Sequence, residues 1–369
     1  MRADGDTLVM LMPAFPDDEA ATHWVPSQQL LVRAIKRNFP QYKLIVLAFQ
    51  YPERPSTYWW NGVQVISFGG MRHRKFQRLL LWKRIWKTLA RIKKEHRVMG
   101  LFSCWCGECA LLGKYFGARY GIPHYCWLCG QDARKSNRMV RLIRPLSGEL
   151  IAMSDFLRRE FYKNHGIHPA RVISNGIDPS LFEGPDLPSR DIDIFAAGSL
   201  SPLKQYEMLV QVLVRIRQII PAVRALHAGD GSEREKINAL IETSGLTNNL
   251  SLLGELPHAG VLQRMKRSRI FLHPSSYEGY GVVCLEALHA GAHVVSFCDP
   301  TGQRIEHWHV VNNIGEMYEK VLELLSDPAL DHHPVTVPLM DDSVKEIIAL
   351  FKTGSIHLQA GYAGAALNS

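Results

Sequence analysis

Two sets of residues in this chain have types and spacings that could do chemistry. The first is a pair of carboxylates, Glu278 and Glu286, eight apart in "HPSSYEGYGVVCLEALHAGAHVVS" (273–296), with Gly279, Tyr280 and Gly281 just after the first. A strand ending at Pro274, a glycine-containing turn and an apolar helix place unpaired backbone N–H groups and a helix dipole over the turn, which suits an anion. Glycine there admits a diphosphate that a side chain would block. Glu286, two turns into the helix, could accept hydrogen bonds from a ribose, and Glu278 at its mouth from a sugar. The plainer reading makes Glu278 a cap residue and Glu286 a solvated helix charge.

The second set is two C-x-x-C pairs, Cys106/Cys109 and Cys126/Cys129, separated by sixteen residues, a spacing that fits a four-cysteine zinc module. The intervening "ECALLGKYFGARYGIP" puts Leu111, Leu112, Tyr115 and Phe116 on one helical face, with Gly121 and Pro123 as a stop. That order is strand, helix, strand, with Cys104 and Cys126 inside strands and Cys109 in the first helical turn. Four tetrahedral ligands would require this crossover to be dismantled, so the cysteines are expected to be small core residues and no metal is expected.

Both sets must sit on an alternating α/β chain. Strands are expected at 7–15, 42–49, 62–68, 98–105, 124–129 and 149–154, with helices near 25–38, 76–96, 108–120 and 155–165. The second half repeats the pattern, with strands at 191–198, 223–229, 250–255, 270–274 and 293–297 and helices at 204–219, 232–244, 259–268 and 282–290. Near-continuous Val/Ile/Leu strands alternating with helices imply parallel sheets covered on both faces. Two doubly wound domains follow, 1–180 and 181–354, joined by "DPSLFEGPDLPSRD" (178–191), with a disordered tail at 355–369.

At 369 residues with 46% apolar and 21% charged residues, the composition is that of a soluble globular protein. No stretch approaches a membrane span, and "MRADGDTLVMLMPAF" has acids where a signal peptide needs a basic run, so a cytoplasmic location is expected. Seven cysteines without framework spacing fit reduced thiols. Residues 1–187 hold 28 Lys and Arg against 15 acids, whereas the remainder hold 15 against 20, so any basic partner surface belongs to the first half.

The second half resembles the donor domain of retaining GT-B glycosyltransferases of family 4 (group 1). The resemblance runs through "AAGSLSPLKQYEMLVQVL" (196–213), "LHAGDGSEREKINALIETSGL" (226–246), "LSLLGEL" (250–256) and the E-x7-E segment, and in the first half through "IAMSDFLRREF" (151–161) and "VISNGIDPSLF" (172–182). It implies two Rossmann-like domains facing across a cleft, an N-terminal acceptor domain and a C-terminal nucleotide-sugar domain. It further implies that Lys204 contacts the donor diphosphate, Glu286 the ribose and Glu278 the donor sugar. Gly281 and Val282 then present N–H groups to phosphate, the Gly254 loop lies under the base, and Gly198, Ser199 and Tyr280 line the donor side. On the acceptor side Gln131 and Asp132 are implicated, Asp132 holding a sugar hydroxyl. Ser199 stands where an arginine is common, which leaves Lys204 as the main cation, and Cys129 stands where a histidine is often seen. The glycine pair usual after the first strand is missing from "PAFPDDEAATHW" (13–24).

The implied reaction moves a sugar with retention from a nucleoside diphosphate to a saccharide or lipid-linked acceptor, in the manner of cell-surface polysaccharide or glycolipid synthesis. No cofactor or metal is needed if Lys204 and a helix N-terminus neutralise the diphosphate. "RHRKFQRLLLWKRIWKTLARIKKEHR" (72–97) carries eleven Lys and Arg and one acid, with Leu81, Ile85, Leu89 and Ile92 in one stripe. It reads either as a helix attracted to an anionic membrane, peripheral on the inner face, or as a covering helix with a basic outer side. Trp82 and Trp86 would then sit at the headgroup boundary or pack on the sheet. No nucleic-acid partner is expected. Two rivals remain: a catalytically weak sugar-nucleotide-binding scaffold, suggested by Ser199 and Cys129, and a zinc-ribbon nucleic-acid-binding protein.

Overall fold

The structure is a computed structural model that describes residues 6–22, 25–73, 76–184 and 190–365, with side chains described as far as residue 352. The chain forms two compact units, Met1–Asn175 with Met340–Ser369, and Gly176–Leu339.

The strands of the first unit are β1 (Asp6–Ala14), β2 (Lys43–Tyr51), β3 (Ser56–Trp60), β4 (Val63–Ser67), β5 (Arg97–Cys104), β6 (His124–Leu128), β7 (Leu150–Ala152) and β8 (Arg171–Val172). They form one sheet in the order β3-β4-β2-β1-β5-β6-β7-β8, parallel except for β3 on β4. Leu8 to Met12 on β1 are all fully buried, as a central strand covered on both faces requires. The antiparallel edge strand β3 departs from the expected all-parallel pattern. It is returned by Asn61 and Gly62, both at positive φ, the two-residue turn that matches the twist of a hairpin.

The helices here are α1 (Pro26–Asn38), α2 (Phe76–Glu95), α3 (Glu108–Tyr120), α4 (Met139–Ile143) and α5 (Asp155–His165). Leu81, Ile85, Leu89 and Ile92 of α2 are buried among Leu47, Phe49 and Phe68, while Lys83, Arg84, Lys87, Arg91 and Lys94 face outward. Trp82 and Trp86 pack on the body of the unit. The Trp82 Nε1–H donates to Glu108 at 2.9 Å, and the Trp86 ring meets Phe116 at 5.0 Å. Arg74 and Lys75 of the basic stretch lie outside the described residues.

The second unit contains β9 (Ile192–Ala197), α6 (Glu207–Ile216), β10 (Ala225–Ala228), α7 (Arg234–Thr243), β11 (Leu250–Leu252), α8 (His258–Lys266), β12 (Ser268–His273), α9 (Val282–His289), β13 (His293–Ser296), β14 (Trp308–Val310) and α10 (Ile314–Ser326). Its six parallel strands run β11-β10-β9-β12-β13-β14. Successive strands step outward one way from β9 and then the other way from β12. The β9/β12 boundary is thus a topological switch point, where the loops after two adjacent strands part and leave a crevice.

Two boundaries differ from expectation. The element order assigns residues 340–354 to the second domain, but the last helix, α11 (Met340–Ala365), packs on the first unit. Arg37 pairs with Asp341 at 2.6 Å, Ser343 donates to the Ser174 carbonyl at 2.7 Å, and Phe351 meets Tyr125 at 5.0 Å. The backbone expected to be a disordered tail from 355 is helical to Ala365, and 366–369 lie outside the described residues. The acid-rich stretch at the domain junction is also anchored where it is described. Lys266 donates to the Phe182 carbonyl at 3.1 Å, and the Phe182 ring meets His289 at 4.8 Å. Residues 185–189 lie outside the described residues.

Phe351 is fully buried against Phe102 and Tyr125. Phe351→Ala is expected to destabilise the first unit by about 3–5 kcal/mol in denaturant unfolding, and a loss under about 1 kcal/mol would show that α11 is not part of its core.

Candidate active site

Lys204 and Glu278 come from the loops after β9 and β12, so the switch point brings together residues 74 positions apart. The Lys204 ammonium pairs with Glu278 Oε1, both side chains being more than four-fifths buried. His273, at the end of β12 and itself buried, lies with Nε2 at 2.8 Å from the same oxygen. A carboxylate only accepts, so Nε2 carries the proton in this contact. Burial pushes the Glu278 carboxyl up, but the hydrogen bond to His273 and the charge of Lys204 more than reverse this, leaving it at about 2. Burial is also the main cause that holds the His273 imidazole below its usual range. Glu278 is therefore a fixed anion at neutral pH.

Local bonding holds this geometry. Lys204 closes a short 3-10 turn, Pro202–Lys204, and Gln205 follows in the left-handed region at φ 51°. The Ser276 N–H donates to the Leu203 carbonyl at 3.1 Å, tying the Glu278 loop to the lysine's turn. Gly281 has φ 76°, left-handed, and begins α9 at Val282, whose first N–H groups have no carbonyl to meet within the helix. Glu286 lies one helical face further on, buried, with Oε1 at 2.7 Å from His258 Nε2 of α8. Tyr280 is buried beside this turn.

Gly198 follows β9 at φ 148°, and a Cβ there would come within 2.8 Å of the Tyr206 hydroxyl. That hydroxyl is buried and has no hydrogen-bond partner among the described residues, so a polar group is left available beneath the loop. Ser199 is exposed, its hydroxyl 3.4 Å from that of Ser201. Gly254 stands after β11 at φ 73° and accepts from the Gly229 N–H at 2.8 Å. All the donor-side residues named from sequence therefore lie in loops at the carboxyl ends of β9, β11 and β12 or on α9. His273 and His258 were not anticipated. His273 stood in view five residues before Glu278, but nothing in the sequence joins His258 to Glu286 across 28 positions.

Gln131 and Asp132 occupy a short turn after β6, Gly130–Ala133, in the first unit. They line a cavity of about 430 Å³ with Pro13, Gln50, Trp105 and Asn137, beside the β1/β5 switch point of that sheet. The Asp132 carboxylate accepts from the Cys129 N–H at 2.8 Å. Burial raises its carboxyl to about 7, against the lowering effect of backbone bonds from Cys106 and Cys129. A buried acid poised near neutrality in a cavity is a group that can accept or give a proton to a hydroxyl.

The cysteines lie where the crossover reading puts them: Cys104 ends β5, Cys109 is in the first turn of α3 and Cys126 is on β6. All seven are free thiols. Burial raises Cys104, Cys109, Cys126 and Cys129 well above the usual range, so they stay protonated. Among the described residues the cysteine sulfurs do not come together as a metal-holding group. The zinc-ribbon rival therefore loses its structural basis, because the intervening residues are a packed helix between parallel strands.

Two doubly wound α/β units, one with a glycine turn and a helix N-terminus at its switch point, have the crevices in which open α/β sheets bind ligands. More narrowly, residues 178–335 match the family model for glycosyl transferases group 1. Over 218 residues the chain is 26% identical to one of the curated subunits of phosphatidylinositol N-acetylglucosaminyltransferase, that of Arabidopsis thaliana, a match covering 57% of this chain and 49% of that protein. It is 27% identical to the gpi3 subunit of the same-named enzyme in Schizosaccharomyces pombe, covering 53% and 44%. The matches thus span about half the length of these curated relatives. Among solved structures, sucrose-phosphate synthase from Thermosynechococcus elongatus aligns with TM-score 0.70 and 17% identity over 98% of this chain and 100% of that one. HepE from Anabaena in complex with UDP-glucose aligns with TM-score 0.67 and 16% identity over 96% and 99%. The fold is GT-B.

An acid with a raised native pKa stabilises the fold below its unfolded value, near 3.8, and that stability is lost as pH rises through about 7. Asp132→Asn is expected to flatten the fall in stability between about pH 4 and 7, read by thermal unfolding across pH. An unchanged pH profile would show that Asp132 titrates normally.

Proposed function

We propose that this protein is a retaining glycosyltransferase that moves a sugar from a nucleoside diphosphate to a saccharide or lipid-linked hydroxyl. The observation that carries the reading is the buried Lys204–Glu278 pair beside the N-terminus of α9, with Glu286 on the same helix. In this reading the diphosphate lies over Gly281 and Val282, where N–H groups and the helix dipole face it, and Lys204 leaves part of its pairing with Glu278 to meet the leaving phosphate. Glu286, oriented by His258, holds the ribose hydroxyls. Glu278, kept anionic, orients the donor sugar and stabilises positive charge developing at its anomeric carbon. His273 acts as a positioning residue by fixing that carboxylate. Asp132 orients an acceptor-side hydroxyl. No metal or cofactor is assigned a role in this reaction.

The UDP-glucose complex of HepE supports UDP-sugars as the first donors to test, and the names of the curated relatives support a lipid-linked acceptor. Purified protein should bind one nucleoside diphosphate sugar from a UDP, GDP and ADP panel and hydrolyse it slowly. Glu286→Ala should weaken binding at least about tenfold, and Glu278→Gln should lower turnover by roughly 10²-fold or more with a smaller effect on binding. No binding of any donor would overturn the reading. Binding without turnover across a broad acceptor panel would favour the scaffold instead.

A cytoplasmic site at the inner membrane face fits the basic helix α2. Phe76 and Leu79 at its start are exposed by 69% and 56%, next to Lys83, Arg84 and Lys87. Exposed apolar residues followed by cations suit an anionic bilayer surface better than a merely solvated helix. No described helix is long and apolar enough to cross a membrane. The protein should sediment with vesicles containing phosphatidylglycerol and not with pure phosphatidylcholine, and Leu79→Glu should release it. Equal recovery with both vesicles would contradict an anionic surface.

A further inference from the structure

The loop before β14 and the segment after α10 bring three ligand-type side chains together. Glu306, His307 and His333 each offer one coordinating atom, all within 4.8 Å of one another. Glu306 Oε2 lies 3.4 Å from His333 Nε2, and Oε1 lies 3.9 Å from His307 Nε2, too long for a hydrogen bond. The His333 Nδ1 donates to Asp331 at 2.7 Å, the carboxylate–histidine contact that fixes the tautomer and leaves Nε2 available as a ligand.

His307 supplies an independent observation. Its side chain is only 10% exposed and the ring makes no hydrogen bond among the described residues, so Nε2, the nitrogen on the Glu306 side, is held in place without a hydrogen-bond partner of its own. Its backbone stands at φ 60°, left-handed, which a non-glycine residue rarely adopts and which tends to persist where a ligand is held. The ring stacks on His293 at 4.1 Å and meets the His333 ring edge-on at 4.7 Å, so it is locked facing the other two groups.

We propose that Glu306, His307 and His333 form a binding site for a divalent transition-metal ion of the zinc class. Two imidazoles and one carboxylate are borderline ligands that suit zinc, cobalt or nickel better than magnesium or calcium, which prefer all-oxygen sets. Ligand atoms around a tetrahedral zinc lie roughly 3.3–3.5 Å apart, so a small closure of the exposed Glu306 and His333 side chains completes the set. The ion would tie the 331–335 segment to the loop that carries Pro300 and leads into Trp308. Those two residues approach a Cβ built at Gly281 to 3.6 Å, so the ion would stiffen one side of that turn without entering it.

The test uses untagged, chelator-stripped protein titrated with zinc chloride by calorimetry and with cobalt chloride by visible absorption. One equivalent should bind, with cobalt giving tetrahedral d–d bands. Affinity should fall at least about tenfold in His333→Ala and in Glu306→Gln, two exposed positions whose replacement leaves the circular dichroism unchanged. His168→Ala, an exposed histidine of the other unit, should bind as the wild type does. Absence of saturable binding would overturn the proposal. So would full binding in both variants, which would place the ion on other ligands such as the cysteines or the His293–His309 pair.

Discussion

The geometry at the β9/β12 switch point depends on one buried ion pair. Lys204 and Glu278 neutralise each other at the boundary between β9 and β12, where the loops after the two strands part. Neither charge could be left there alone, since an unpaired buried ion costs several kcal/mol. The pair therefore fixes the two loops relative to each other, and the bond from Ser276 to the Leu203 carbonyl repeats the constraint through the backbone. His273 completes it by taking the remaining face of Oε1. In the proposed reaction an incoming diphosphate would offer Lys204 a second anion at little cost in reorganisation.

The rest of the second unit serves that pair. The parallel order brings the carboxyl ends of β9, β11 and β12 to one edge, and the left-handed residue Gly281 turns the chain from that edge into α9. The same helix then carries Glu286 inward, where His258 meets it. In the first unit the corresponding edge holds a different chemistry. Asp132, raised toward neutrality by burial, faces a cavity rather than a cation, so it can exchange a proton where Glu278 cannot.

Much of this was legible in the sequence because it rests on local pattern. The Val/Ile/Leu runs and the apolar stripe of α2 name the strands and the buried helix face directly, and the glycines between Glu278 and Glu286 mark the turn from β12 into α9. The C-x-x-C pairs misled on spacing alone, and the helix period between them, from Leu111 to Phe116, corrected the reading. What stayed hidden is non-local. That Met340 onward returns to the first unit depends on Phe351 meeting Tyr125, far away along the chain, and no periodicity reports it. The partnership of His258 with Glu286 is of the same kind. Edge strand β3 is different, since its signal is local: Asn61-Gly62 marks the hairpin that returns it to β4.

The most direct measurement is a crystal structure of the protein soaked with the nucleoside diphosphate it binds best. The expected result is a diphosphate within hydrogen-bonding distance of the Gly281 and Val282 N–H groups and the Lys204 ammonium, with the ribose hydroxyls on Glu286. A nucleotide bound elsewhere, or one bound at α9 with its ribose turned away from Glu286 and Lys204 still held only by Glu278, would contradict the assignment of this site.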